Sequence, residues 1–166
     1  PVFRALPACI NLQKVTIKTR RASADAIRSL LQLRSGTILH LIIHDPDHWM
    51  AVADEIRQGR CRVRGLALSM YLRSSGETDT AAVKAIATAI RRDGNLEGLF
   101  LRSERGFSNE AGVALAEALT VNTNLRVLSL ADSRNFDRAL LGASAYEAFG
   151  TMHRVNSNLR LALPIY

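Results

Sequence analysis

The chain has 166 residues, 48% hydrophobic and 5% aromatic, enough for one domain with a substantial core. No stretch approaches roughly 18 apolar residues, which argues against a membrane-spanning helix. Cys9 and Cys61 stand without a C-x-x-C, which excludes a cysteine zinc site and disfavours a disulfide scaffold. Net charge is +7, carried almost wholly by arginine, with lysine only at 14, 18 and 84.

The opening PVFRALPACI has no basic segment followed by a long apolar run, so no signal peptide is visible. It also lacks a starting Met, which reads as a piece cut from a longer chain. Two lone cysteines fit a reducing compartment, the cytoplasm, or a host cytoplasm if the chain is a delivered effector.

From Leu12 onward, short apolar triplets with the spacing L-x-x-L-x-L recur. They are Leu12/Val15/Ile17, Ile38/Leu41/Ile43, Val63/Leu66/Leu68, Leu96/Leu99/Leu101 and Leu125/Leu128/Leu130. A sixth starts at Leu159 and decays into Ala162 and Pro164. Successive triplets start 26, 25, 33, 29 and 34 residues apart. Each predicts a short buried strand.

Between the strands lie amphipathic helices. Their stripes are Ile27/Leu30/Leu31/Arg34, Trp49/Val52/Ala53/Ile56, Val83/Ile86/Ala87/Ile90, Gly112/Leu115/Ala116/Leu119 and Tyr146/Phe149/Gly150/His153. Trp49 reads as core. Ala87, Ala116 and Gly150 share a column of small residues, which predicts a close approach of helix to sheet. Helix starts are marked by Ser23, Asp45, Thr78 and Ser108, each followed by an acid or Pro in the first turn. The ends Asp93-Gly94-Asn95, Asn122-Thr123-Asn124 and Asn156-Ser157-Asn158 are expected to stop the helix in the left-handed conformation.

A strand and a helix recurring at a fixed interval predict a solenoid, in which each unit is stabilised by its neighbours. The fold class is α/β: parallel concave strands backed by convex α-helices. The whole of 1–166 forms one domain of about five to six repeats. Leu96–Leu130, with Gly112, Leu115, Ala116, Leu119, Asn122 and Asn124, resembles the ribonuclease-inhibitor-like class of leucine-rich repeats. The resemblance is strongest over Val63–Leu159 and weaker over Leu12–Gln58. It implies a horseshoe that binds protein on its concave face, without catalysis or a cofactor. The class carries Asn or Cys three residues after the last strand leucine. Here those positions hold Arg20, Pro46, Tyr71, Glu104 and Ser133, so the array departs from the regular ladder.

Residues between the strand leucines face the concave side. Lys14, Lys18, His40, Ile42, His44, Phe100 and Arg102 are the candidate binding residues. Ile42 and Phe100 form an apolar centre, and Lys18, His44 and Arg102 a cationic outer row. The competing reading has Phe100 fold over Ala67 and fill the trough. Tyr71, Arg73 and Arg105 lie on loops after the strands and are further candidates. The expected partner is a protein with an apolar and acidic surface.

Other chemistry is weaker. His40, His44 and His48 have metal-like spacing, but the first two fall on a strand, where four residues span about 13 Å, so no metal site is expected. Cys61 sits in a basic turn that would lower its pKa, yet no orienting group accompanies it. A basic scaffold for nucleic acid or anionic membrane is the alternative. It is disfavoured by dispersed arginines and few aromatics. A substrate-recognition arm for a catalytic domain outside this chain is another. The apolar ends, Pro1–Leu12 and Leu159–Ile165, lack polar caps and would permit self-association.

Overall fold

The computed structural model describes residues 13–19, 23–33, 37–43, 46–70, 76–103, 106–132 and 141–163. Strands and helices alternate: β1 (Lys14–Thr19), α1 (Ala24–Leu31), β2 (Ile38–Ile43), α2 (Pro46–Arg57), β3 (Gly65–Met70), α3 (Gly76–Ile90), β4 (Gly98–Ser103), α4 (Asn109–Val121), β5 (Val127–Asp132), α5 (Ala143–Val155) and β6 (Arg160–Ala162). The strands form one six-stranded sheet in chain order, and every neighbouring pair is parallel. Parallel neighbours need a crossover, and each helix supplies one. Each helix also packs against the next. This is a repeating α/β arrangement compatible with a solenoid.

Two strand columns build the core. Val15, Leu39, Leu66, Leu99, Leu128 and Leu161 stand side by side, and so do Ile17, Leu41, Leu68, Leu101 and Leu130. Except for the half-buried Ile17 and Leu161, all of these are buried. The helices cover this face with Ile27, Leu30, Leu31, Trp49, Val52, Ile56, Val83, Ile86, Ile90, Leu115 and Leu119. The expected packing role of Trp49 holds.

The register of β2 differs from the sequence reading. Leu39 and Leu41 occupy the core columns, not Leu41 and Ile43, and Ile38 is 42% exposed. The segment ILHLII is apolar at every position but one, so periodicity alone does not say which half faces the helices. The neighbouring strands decide it: Leu39 stacks between Val15 and Leu66.

Helix ends also differ. Ser23 and Ser108 cap α1 and α4 as expected, their hydroxyls accepting from the N–H of Ala26 and Ala111 at 3.2 Å. α3 starts at Gly76, ahead of the Thr78 cap. Among the described residues only Gly59 and Gly106 have positive φ, so Gly94 and the asparagines do not stop their helices in the left-handed conformation. Asn122, the cap of α4, is extended, with φ −78° and ψ 113°. Its side chain does the work instead. Asn122 Oδ1 accepts from the N–H of Asn124 and Leu125 at 2.9 and 2.8 Å. Its Nδ2 donates to the carbonyls of Ile90 and Asp93 in the preceding unit, at 2.5 and 3.0 Å. Asn156 repeats the donation to Leu119 and Asn122, at 2.9 and 2.7 Å. An asparagine ladder therefore runs where the chain enters β5 and β6, three residues before Leu125 and Leu159. Of the positions that the family pattern would use, 20, 71, 104 and 133 lie outside the described residues, as does the side chain at 46.

The small-residue column holds only in part. Ala87 and Ala116 are buried, while Gly150 and His153 are exposed. A Cβ at Gly150 would meet nothing within 4 Å. Among the described helices α5 is the last, packed against α4 alone. Its buried stripe is therefore Ala145, Phe149 and Met152. The close approach lies elsewhere: a Cβ at Gly112 would come within 2.6 Å of Ala145 Cβ and 2.7 Å of Leu141 Cδ2. Gly112 is what lets α5 lie against α4.

Candidate functional site

Side chains alternate along a strand, so the residues between the core columns face away from the helices. Register places them in three rows across the sheet. The first is Lys14, Ile38, Gly65, Gly98, Val127 and Arg160. The second is Thr16, His40, Ala67, Phe100, Ser129 and Ala162. The third is Lys18, Ile42, Ser69, Arg102 and Ala131.

This arrangement corrects the expected grouping. Ile42 stands in the third row beside Ser69, not level with Phe100. Ile38 takes the apolar place in the first row, a residue that the sequence reading had assigned to the core. His40, not Ile42, is in Phe100's row, with Ala67 between them. By backbone register Lys18 and Arg102 belong to the same third row. His44, Tyr71, Arg73, Arg105 and the Lys18 side chain lie outside the described residues.

The centre is apolar and raised over a glycine floor. Phe100 is 40% exposed. It leans along its own strand over Gly98, where a Cβ would sit 3.3 Å from the ring. Ile38 leans across from β2 over Gly65 of β3, at 3.2 Å. Two glycines make room for two exposed hydrophobic side chains to lie against the sheet.

Around them the charge is of one sign. None of the open-face positions carries Asp or Glu. Lys14, Arg102 and Arg160 are the cations of described side chains on that face. His40 is half-buried and its Nε2 lies 3.0 Å from Ser69 Oγ. Burial, and then the charges of Lys14 and Arg102, hold its imidazole below the usual histidine range. It is neutral at pH 7, and its partner there is a hydroxyl.

The helical layer differs. Three of its cations meet carboxylates: Arg28 with Asp25 at 2.6 Å, Arg57 with Asp54 at 2.8 Å, and Lys84 with Glu110 at 2.5 Å. Glu55, fully buried, is bound by Arg60 at 2.5 Å and approached by Arg28 at 3.5 Å. The Arg60 hydrogen bonds hold its carboxyl below the usual range.

A cavity of about 560 Å³ opens where the loops entering β5 and β6 meet the first row. Thr123, Arg126, Val127, Asn158 and Arg160 line it. The sequence reading singled out none of these. The signal was available in principle: Arg126 and Arg160 stand one residue apart in register, each at the start of a strand.

The remaining candidates are not brought into a reactive arrangement. His48 is buried within α2, in the layer opposite the face that holds His40. Among the described residues no three His, Cys, Asp or Glu side chains converge. Cys61 is fully buried, and desolvation pushes its thiol up to about 12, the reverse of the expected lowering. The nearby Asp93 charge adds to the rise, and a backbone hydrogen bond with Val63 opposes it.

No protein-family model and no curated protein matches this sequence. The functional reading therefore stands on the geometry. Among the described residues no helix is long and apolar enough to cross a membrane.

Proposed function

We propose that this chain is a non-catalytic protein-interaction module, a divergent leucine-rich-repeat array of the ribonuclease-inhibitor-like kind. The open face is the concave face of that architecture, and the partner binds there. One observation carries the reading: Ile38 and Phe100 are exposed at the centre of a face that has cations and no carboxylate. Water does not select exposed phenylalanine, and an apolar patch with a polar rim is the anatomy of an interface. The partner has an apolar anchor within an acidic surface and meets the module in a reducing compartment.

The test is capture of the partner by the wild type and by Phe100→Ala, with Leu99→Ala as the structural control. Phe100→Ala should keep the thermal transition close to that of the wild type and lose the partner. Leu99 is fully buried, so its loss should destabilise by roughly 2–5 kcal/mol. If Phe100→Ala destabilises as much as Leu99→Ala, or keeps the partner, the reading fails. A salt titration of the complex separates the nucleic-acid alternative, since phosphate binding weakens steeply with salt and apolar docking does not.

A further inference from the structure

We propose that the cavity at the entry to β5 and β6 receives an acidic pair of residues on the partner, while an apolar residue of the same segment rests on Phe100. The inference rests on the open face being the binding face.

The cavity has the chemistry of an anion receptor. Its volume of about 560 Å³ is that of a ligand pocket, more than one carboxylate fills. Arg126 and Arg160 both line it, and among the described residues neither has an ion-pair partner. The nearest strand-entry acid, Glu97, is already engaged by Arg64 at 2.6 Å. Thr123 and Asn158 add a hydroxyl and an amide donor. A guanidinium fork matches a carboxylate with two parallel hydrogen bonds, and donors beside it hold the remaining oxygen lone pairs. The scaffold under these arginines is fixed: the Arg126 N–H donates to Glu97 O and the Arg160 N–H to Arg126 O, both at 2.8 Å. Their backbones are held in place before any ligand arrives, which lowers the ordering cost of binding.

The cavity is also continuous with the apolar centre. Val127 and Arg160 belong both to its lining and to the first open-face row. From Arg160 on β6 to Phe100 on β4 is two strand spacings and one two-residue step, or about 12 Å. An extended chain covers that in roughly three to four residues. The partner segment therefore carries an apolar residue and, three and four positions away, two acids.

The test is an amide-resolved NMR titration with synthetic probes. Gly/Ser peptides carry one Leu and two Glu placed three and four residues after it, or before it. Matched peptides replace Glu by Gln, and an oligothymidylate serves as the nucleic-acid arm. One of the Glu peptides should shift the amides of Gly98–Arg102, Thr123–Val127 and Asn158–Arg160 together. It should bind at least roughly tenfold tighter than its Gln counterpart, as charged hydrogen bonds require. The Arg126→Gln/Arg160→Gln chain should keep its native spectrum and the shifts around Phe100, and lose the tenfold preference. Retention of that preference in the double variant overturns the proposal. So does the absence of any shift around the cavity at millimolar peptide. Preferential binding of the oligothymidylate there overturns it in favour of nucleic acid. Shifts at Gly98–Arg102 without a Glu preference remove only the cavity, whereas no shift at Gly98–Arg102 with any peptide removes the open-face reading itself.

Discussion

Asp93→Asn should stabilise this protein, although it replaces a native residue in a buried position. Asp93, Asn122 and Asn156 each stand three residues before a strand-entry leucine, at 96, 125 and 159. Asn122 uses both atoms of its amide, and Asn156 donates twice from Nδ2. Asp93 does only half of this: its Oδ2 accepts from the N–H of Asn95 and Leu96 at 3.1 and 2.7 Å. Its Oδ1 is buried with no hydrogen-bond partner among the described residues. That oxygen takes the place of Nδ2 in the asparagines, whose targets are carbonyls of the preceding unit. The corresponding carbonyls here lie in the turn between α2 and β3, where Asn95 Nδ2 already reaches the Cys61 carbonyl at 3.0 Å. An amide would donate to them and would remove a lone buried acceptor worth about 1–3 kcal/mol. For a chain of 166 residues that is a rise in Tm of about 2–12 °C, at about 2–4 °C per kcal/mol.

The pH dependence sharpens the prediction. Burial raises the Asp93 pKa above the ordinary carboxylate value, despite the two backbone hydrogen bonds that oppose the rise. A raised folded-state pKa means that the folded form binds the proton more tightly. The associated stability is full below the unfolded-state pKa and is lost as pH rises through the folded-state one. The asparagine does not titrate. The advantage of Asp93→Asn should therefore be smallest in acid, where the neutral carboxyl can donate in its place, and grow to a plateau towards neutral pH. Urea unfolding of both chains across pH 4 to 8, read by the fluorescence of Trp49, the single and fully buried tryptophan, measures this directly. A variant less stable at neutral pH, or a gap that does not change with pH, would refute the reasoning.

Two glycine substitutions in helices should act in opposite directions. Gly112→Ala puts a methyl within 2.6 Å of Ala145 Cβ and should cost about 1–2 kcal/mol, an overpacking penalty partly offset by helix propensity. Gly150→Ala meets nothing and should stabilise by about 1 kcal/mol, both values read from thermal melts. Glu55 has a lowered folded-state pKa through Arg60, so its contribution is present above its unfolded value and lost as pH falls through the folded one. Glu55→Gln should be less stable than wild type at neutral pH and show a shallower loss in acid, in the same unfolding series. In a Cys9→Ser chain the Cys61 thiol should stay unreactive to Ellman's reagent at pH 8 until denaturant is added, since burial holds its pKa near 12.

The core was legible where leucine alternates with something that is not leucine. Leu66, Leu68, Leu99, Leu101, Leu128 and Leu130 were placed correctly because Ala67, Phe100 and Ser129 lie between residues of clear hydrophobic pattern and fixed spacing. Ile38–Ile43 was misplaced because it offers no such contrast, and only stacking between β1 and β3 sets its register. The stop signals at 93–95, 122–124 and 156–158 were located correctly and given the wrong mechanism. Asparagine serves both as a left-handed residue and as a two-sided hydrogen-bonding side chain, and composition does not distinguish the two. The α5 stripe failed for a different reason. A helical period reports which residues share a face, whereas burial of Gly150 and His153 would need a neighbour on that side. The cavity is legible only once the units are aligned, because it joins residues from two of them, Thr123–Val127 and Asn158–Arg160, whose proximity follows from β5 and β6 pairing.

The division of charge between the two faces bears most directly on function. Packing does not explain it at the exposed open-face positions, such as Thr16 and Ala162, where an Asp or Glu would cost little. The helical layer shows that the chain has carboxylates to place, since Asp25, Asp54, Glu55 and Glu110 all sit there against cations. Around Ile38 and Phe100 the described open face carries Lys14, Arg102 and Arg160 and no acid. At physiological salt the Debye length is about 8 Å, so such a face acts on what is already close to it. It would speed docking of an acidic segment at low salt and fix its orientation, while the apolar contact with Phe100 sets how long it stays. The complex should then dissociate at a rate that depends strongly on Phe100 and weakly on salt, and form at a rate with the opposite dependence. Stopped-flow measurement of both rates on wild type and Phe100→Ala separates the two roles. A dissociation rate that follows salt and ignores Phe100 would make the aromatic ring a bystander.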